Sequence, residues 1–147
     1  MALITLASTL SNNNQKDWAV FGSCSECLQG CQIVPNDIDV ICSAKSFNSV
    51  VQSFPSAILK KDENKKPHRI RSSYRKISVA EIEIEIVSCI ENYIYGSGWQ
   101  KLNYFDQQIV EIEEFGVKIK CVKLNDLFDL HLKLGKVERA KKLYPLT

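Results

Sequence analysis

Residues 18–43 read WAVFGSCSECLQGCQIVPNDIDVICS, and this stretch narrows the possible folds more than any other. Two short apolar runs, 18–22 and 37–43, have the composition of buried strands, and a helix-length insert separates them. Gly22 and Ser23 follow the first run, and the second run carries two carboxylates, Asp37 and Asp39. Side chains two apart on an extended chain point the same way, so these carboxylates project together from one face. Two like charges that close are costly unless a positive charge lies between them. A hard divalent cation such as Mg²⁺ or Mn²⁺ answers that need, because it prefers carboxylate oxygens.

The rest of the chain surrounds this unit with alternating patterns. Residues 2–12 predict an amphipathic helix with Ala2, Leu3, Leu6 and Leu10 inward. Ser23 is expected to cap a short helix through Leu28, with Glu26 as its capping-box partner and Gly30 as its stop. Residues 45–54 place Phe47, Val50, Val51 and Phe54 at helical spacing, and Pro55 stops them. The run AILKK reads as a short strand and DENKKP as a polar loop. The segment AEIEIEIVSCI is the clearest strand, with Ile82, Ile84 and Ile86 alternating with Glu81, Glu83 and Glu85. Three carboxylates in a row repel one another, and two readings follow. Arg69, Arg71 and Arg75 balance a solvent-facing edge strand, or one glutamate joins Asp37 and Asp39, and both can hold at once. Residues 92–107 read as turn-rich and irregular, and one or two strands are expected around Gly116. The C-terminal segment predicts helix capped by Asn125, with a stripe of Leu127, Leu130, Leu134 and Val137 that Gly135 kinks or splits. Strand, helix, strand, more strands and terminal helices together predict an α+β protein: a mixed β-sheet packed with helices and a helical C-terminus.

At 147 residues the chain fits one domain, 1–147, and its 45% hydrophobic content is that of an ordinary globular protein. The net charge of +2 neither requires nor excludes a nucleic-acid partner, but basic runs at 60–76 and 133–142 face acidic runs at 81–91 and 106–114. Acidic strands beside basic loops suit a metal-bridged phosphate substrate. No stretch approaches the ~20 apolar residues of a membrane span, and the N-terminal segment lacks a basic leader, so a cytoplasmic location is the default. Cys24, Cys27 and Cys31 lie at helical spacing and suggest thiolate ligands, with Cys42 or His68 as a fourth, but small buried apolar residues explain them better. His131 is expected to pack, and Trp18 and Trp99 to join the core.

Phe21-Gly22-Ser23, thirteen intervening residues, Asp37-Ile38-Asp39-Val40 and a later acidic strand resemble the signature of the DNA polymerase beta-like nucleotidyltransferase superfamily. The resemblance covers roughly residues 15–90 and points to a small stand-alone member. It implies metal-dependent transfer of a nucleotidyl group from a nucleoside triphosphate to an acceptor hydroxyl. Asp37, Asp39 and a third carboxylate would be catalytic and would hold the metal; Glu85 fits that third place best and Glu83 next. Gly22 lets the main chain approach the triphosphate, Ser23 offers a hydroxyl, and Arg69 and Arg71 could reach phosphate oxygens. Lys133, Lys136 and Arg139 are further candidates to face the nucleotide. The acceptor stays open between a small molecule, a protein side chain and an RNA end. The alternative is a catalytically silent nucleotide-binding or interaction module with the same fold, possibly half of a two-component toxin system with a helical partner protein.

Overall fold

A computed structural model describes residues 1–55, 70–101 and 109–146. Its centre is a sheet ordered β3-β4-β2-β1-β7-β6, with β5 paired to the far end of β4. The strands are β1 (Trp18–Phe21), β2 (Ile38–Cys42), β3 (Ile70–Val79), β4 (Ile82–Ile94), β5 (Gly98–Lys101), β6 (Ile109–Glu114) and β7 (Val117–Val122). β1 and β2 run antiparallel, while β2 lies parallel to β4 and β1 parallel to β7. This mixed sheet with its helices is the expected α+β architecture.

Alternation along the central strands divides the core between the two sheet faces. Val20, Val40, Ile84, Ile86 and Ile119 pack with Leu6, Ala7 and Leu10 of α1 (Ala2–Asn12) and with Val50 and Val51 of α3 (Phe47–Gln52). Ala19, Ile41, Ile90 and Val122 pack on the opposite face with Leu127 and Leu130 of α4 (Leu124–Lys133) and Leu143 of α5 (Val137–Leu143). Gly135, at φ 72°, separates α4 from α5, a conformation that costs glycine little. Helix α2 (Gly22–Leu28) is tied to β7 by the Ser25 hydroxyl and the Gln29 amide, both donating to the Val122 carbonyl at 2.8 and 2.7 Å. Among the described residues, no helix is long and apolar enough to cross a membrane.

Several local expectations change. β4 is not an edge strand: β3 flanks one side, and β2 and then β5 flank the other. Glu81 leaves the glutamate row, because Ala80 and Glu81 form the β3–β4 turn with φ of 48° and 65°. Residues 92–101 are ordered as the end of β4 and β5, where cross-strand Tyr93 and Trp99 meet edge to face at 5.6 Å. Ser23 makes no capping bond: α2 begins at Gly22 after an extended Phe21, and Glu26 turns inward. Asn125 lies inside α4, whose N-cap is Lys123; the Leu124 N–H donates instead to Oε1 of Gln29 at 3.2 Å. The expected strand AILKK, the loop DENKKP, His68 and Arg69 lie outside the described residues.

Candidate active site

Asp39 is the second residue of β2, and Asp37 precedes the strand by one residue. Parallel pairing of β2 with β4 sets Asp39 directly beside Glu85. One oxygen from each of Asp37, Asp39 and Glu85 lies within 4.8 Å of the others. Glu83 shares that face but is exposed, and Lys76 of the neighbouring β3 sits 3.3 Å from it. The same lysine is 4.0 Å from Glu85 Oε1, which also accepts a 2.8 Å bond from the Tyr74 hydroxyl. Tyr74 and Lys76 share the carboxylate face because they stand opposite Val87 and Glu85 in the register.

Burial first, then the charges of Asp37 and Glu85, push the Asp39 carboxyl up to about 7. A cation at the convergence point would relieve that repulsion. The donor set is all carboxylate oxygen, the chemistry that suits Mg²⁺ or Mn²⁺. Gly22 closes the site on another side. Its φ is +63°, and a Cβ there would stand 3.2 Å from Asp39 Oδ2. The turn therefore needs glycine both for its backbone and for the room it leaves the aspartate.

A cleft of about 630 Å³ opens from this point. Gly22, Ser23, Asn36 and Asp39 line its sheet side, and Leu130, His131, Lys136 and Arg139 line its helical side. That is the size class of small-molecule and cofactor sites. Arg71 is elsewhere. It stands opposite Glu91, six residues along β4 from Glu85, or about 20 Å of strand. There its Nε bonds Glu91 at 2.5 Å and its guanidinium lies 4.2 Å over the Trp99 ring. Arg75 stands opposite Ile86 and so faces the other side of the sheet from the glutamates; the cation beside them is Lys76.

Cys24 and Cys31 follow the apolar reading, whereas Cys27 does not. Cys24, Cys31, Cys42 and Cys121 are buried, and Cys27 is exposed. Burial first of all pushes the Cys24 thiol up to about 11 and those of Cys42 and Cys121 up to about 12, which disfavours thiolate. Among the described residues the metal-capable convergence is Asp37, Asp39 and Glu85, with no cysteine in it. Trp18 is in the core as expected, whereas Trp99 serves as the platform for Arg71.

One cluster had no signal in the sequence. Glu26 is wholly buried and meets His131 and Arg139, 105 and 113 residues away along the chain. Burial raises its carboxyl, but the bonds from His131 and Arg139 outweigh that and hold it below the ordinary carboxylate range. The spacing Ser23-x-x-Glu26 carried only a local meaning, that of a capping box.

No family model matches the chain, and neither does any curated protein sequence. Among solved structures, it is similar to TM1012, a candidate nucleotidyltransferase from Thermotoga maritima. Their identity is 26% and the TM-score 0.79, over 96% of this chain and 87% of that one. The chain has the nucleotidyltransferase fold. It is a small member, consistent with the resemblance carried by Gly22-Ser23 and Asp37-x-Asp39. The same fold relates it to the lincosamide antibiotic adenylyltransferase LnuA, solved with lincomycin. That match has 16% identity and a TM-score of 0.63, over 99% of this chain and 96% of that one. ANT(2″)-Ia, in complex with adenylyl-2″-tobramycin, matches at 9% identity and a TM-score of 0.57, over 99% of this chain and 87% of that one.

Proposed function

We propose that the chain, acting as one catalytic unit over 1–147, transfers a nucleotidyl group from a nucleoside triphosphate to an acceptor hydroxyl. One observation carries this reading: carboxylates from β2, its leading bend and β4 converge within 4.8 Å beside a glycine turn at the mouth of a nucleotide-sized cleft. Asp37, Asp39 and Glu85 would hold a divalent cation, and Glu83, paired with Lys76, stands at the rim. An ion bound there would supply positive charge to offset that of the phosphates and to acidify the attacking hydroxyl.

The chain's own groups do the rest. Gly22 lets the main chain approach the phosphates, and the Ser23 hydroxyl donates to them. Arg139 and Lys136, across the cleft, offer the cations that Arg71 is too distant to supply. The acceptor oxygen bonds to the α-phosphorus, the bridge from α-phosphorus to the β-phosphate oxygen breaks, and pyrophosphate leaves. The Glu85 oxygen that Tyr74 leaves free takes the hydroxyl proton.

The neighbours solved with lincomycin and adenylyl-2″-tobramycin put small hydroxyl-bearing molecules first among acceptors to try. The test is pyrophosphate release with Mg²⁺ or Mn²⁺, for each nucleoside triphosphate, across small-molecule, protein and RNA acceptors. Release is expected only with metal, and Asp39→Asn is expected to lower it by about a hundredfold or more. Triphosphate binding that ignores both metal and that substitution, with no release for any acceptor, would instead favour the silent module.

A further inference from the structure

Glu26 lies on α2, three residues beyond Ser23, and no solvent reaches it. Its Oε1 is 2.5 Å from Nε2 of His131 on α4. Its Oε2 accepts bonds from Nε and Nη2 of Arg139 on α5, at 2.9 and 2.6 Å. Taking a carboxylate and its partners out of water is costly, and well-packed apolar side chains often brace helices at least as stably. An apolar brace, however, cannot hold a guanidinium in one orientation. The Arg139 side chain keeps 32% exposure and lines the cleft together with Gly22, Ser23 and Asp39. Its Nη1 makes no bond among the described residues. Of the other charged groups on that wall, Glu138 is paired with Lys141 at 2.8 Å, which leaves Lys136 as the neighbouring cation.

We propose that Glu26 is a positioning residue: it fixes Arg139 in the orientation that receives the phosphate tail of the nucleotide, while His131 locks the carboxylate from its other oxygen. This deepens the nucleotide reading and rests on it for the identity of the ligand. A guanidinium already held on one edge loses less rotamer freedom when phosphate arrives on the other, so its charge-assisted bonds are formed at a smaller entropic loss. The arrangement also places the phosphate seat between the glycine turn that starts α2 and the α4–α5 pair.

The test titrates inorganic tripolyphosphate into the full chain at saturating Mg²⁺ and follows binding by calorimetry. Mn²⁺ binding alone, read by electron paramagnetic resonance, reports the three carboxylates. Glu26→Gln and Arg139→Gln are each expected to weaken tripolyphosphate binding by about 10- to 100-fold, the value of one or two charge-assisted bonds. The double variant should be no weaker than either single one, because Glu26 acts through Arg139. Mn²⁺ affinity should stay at the wild-type value. Arg139→Lys keeps the charge at a partly exposed position but loses the paired bonds to one oxygen, and is expected to weaken the anion by about tenfold. It carries the test should Glu26→Gln fail to fold.

Wild-type anion affinity in folded Glu26→Gln or in Arg139→Lys overturns the proposal. So do additive effects, joint loss of anion and Mn²⁺ binding, and a wild-type chain that binds no tripolyphosphate. Anion binding governed by Glu26 without pyrophosphate release from any nucleoside triphosphate leaves Glu26 in its role and removes the transfer reaction instead.

Discussion

Asp39 concentrates the conflict in the site. It sits in a strand, beside Glu85 and near Asp37, where burial and two like charges push its carboxyl from the ordinary 3.8 up to about 7. A folded-state pKa above the unfolded one means that the metal-free fold loses stability as pH rises from about 4 to 7, after which the loss is complete. Asp39→Asn removes that penalty. Without metal at pH 8 the variant should be more stable than wild type by about 1–2 kcal/mol, discounted for the part of Asp39 that water still reaches. At pH 3, where the carboxyl is protonated in both states, the advantage should vanish. Thermal melts at the two pH values, in the presence of a chelator, check this. The direction is diagnostic, because an aspartate held in a structural ion pair would give the opposite sign.

At the scale of elements, the β3–β4 hairpin holds Glu85 in place and does so across an awkward turn. Ala80 and Glu81 both adopt positive φ, at 48° and 65°, in a two-residue connection between Val79 and Ile82. Neither residue type favours that conformation, whereas Asn-Gly does. Ala80→Asn with Glu81→Gly is expected to stabilise the chain by about 1–2 kcal/mol, read as a raised urea midpoint at unchanged slope. Pyrophosphate release should be unaffected, since both side chains are exposed and lie outside the carboxylate cluster. The alternation of Ile84 and Ile86 with Glu83 and Glu85 announced this strand, because a period of two is a local property. Its position in the interior of the sheet was not announced, and Arg71 and Arg75 stand opposite Glu91 and Ile86 rather than beside those glutamates. Cross-strand register decides which cation meets which glutamate, and register is a long-range property.

For the whole molecule, Asp39 and Glu26 pull stability in opposite directions. Glu26 is held below its ordinary value of 4.5 by His131 and Arg139. Its contribution is complete above about pH 4.5 and is lost as pH falls through the lower folded value. Glu26→Gln should therefore cost about 3 kcal/mol at pH 7, the lower end for breaking a buried pair whose arginine is partly exposed. The difference from wild type should shrink at pH 3, as measured by urea unfolding at both pH values. A gap independent of pH would mean that the carboxylate is not charged in its pocket. Because these bonds join α2 to α4 and α5, the acid sensitivity belongs to the docking of the C-terminal helices and not to the sheet.

The elements and the acidic signature were legible in the chain itself. Apolar period, Gly22-Ser23 and the Asp37-x-Asp39 spacing act over a few residues, where backbone geometry dictates which side chains share a face. The resemblance ranked Glu85 ahead of Glu83, but the contact itself belongs to tertiary structure, because Glu85 meets Asp39 only through parallel pairing of β2 with β4, strands joined by no local turn. Tertiary structure also redirected Glu26 from a presumed cap to partners more than a hundred residues away. A buried charge is satisfied by whatever the fold brings to it, and sequence neighbours carry no record of that choice.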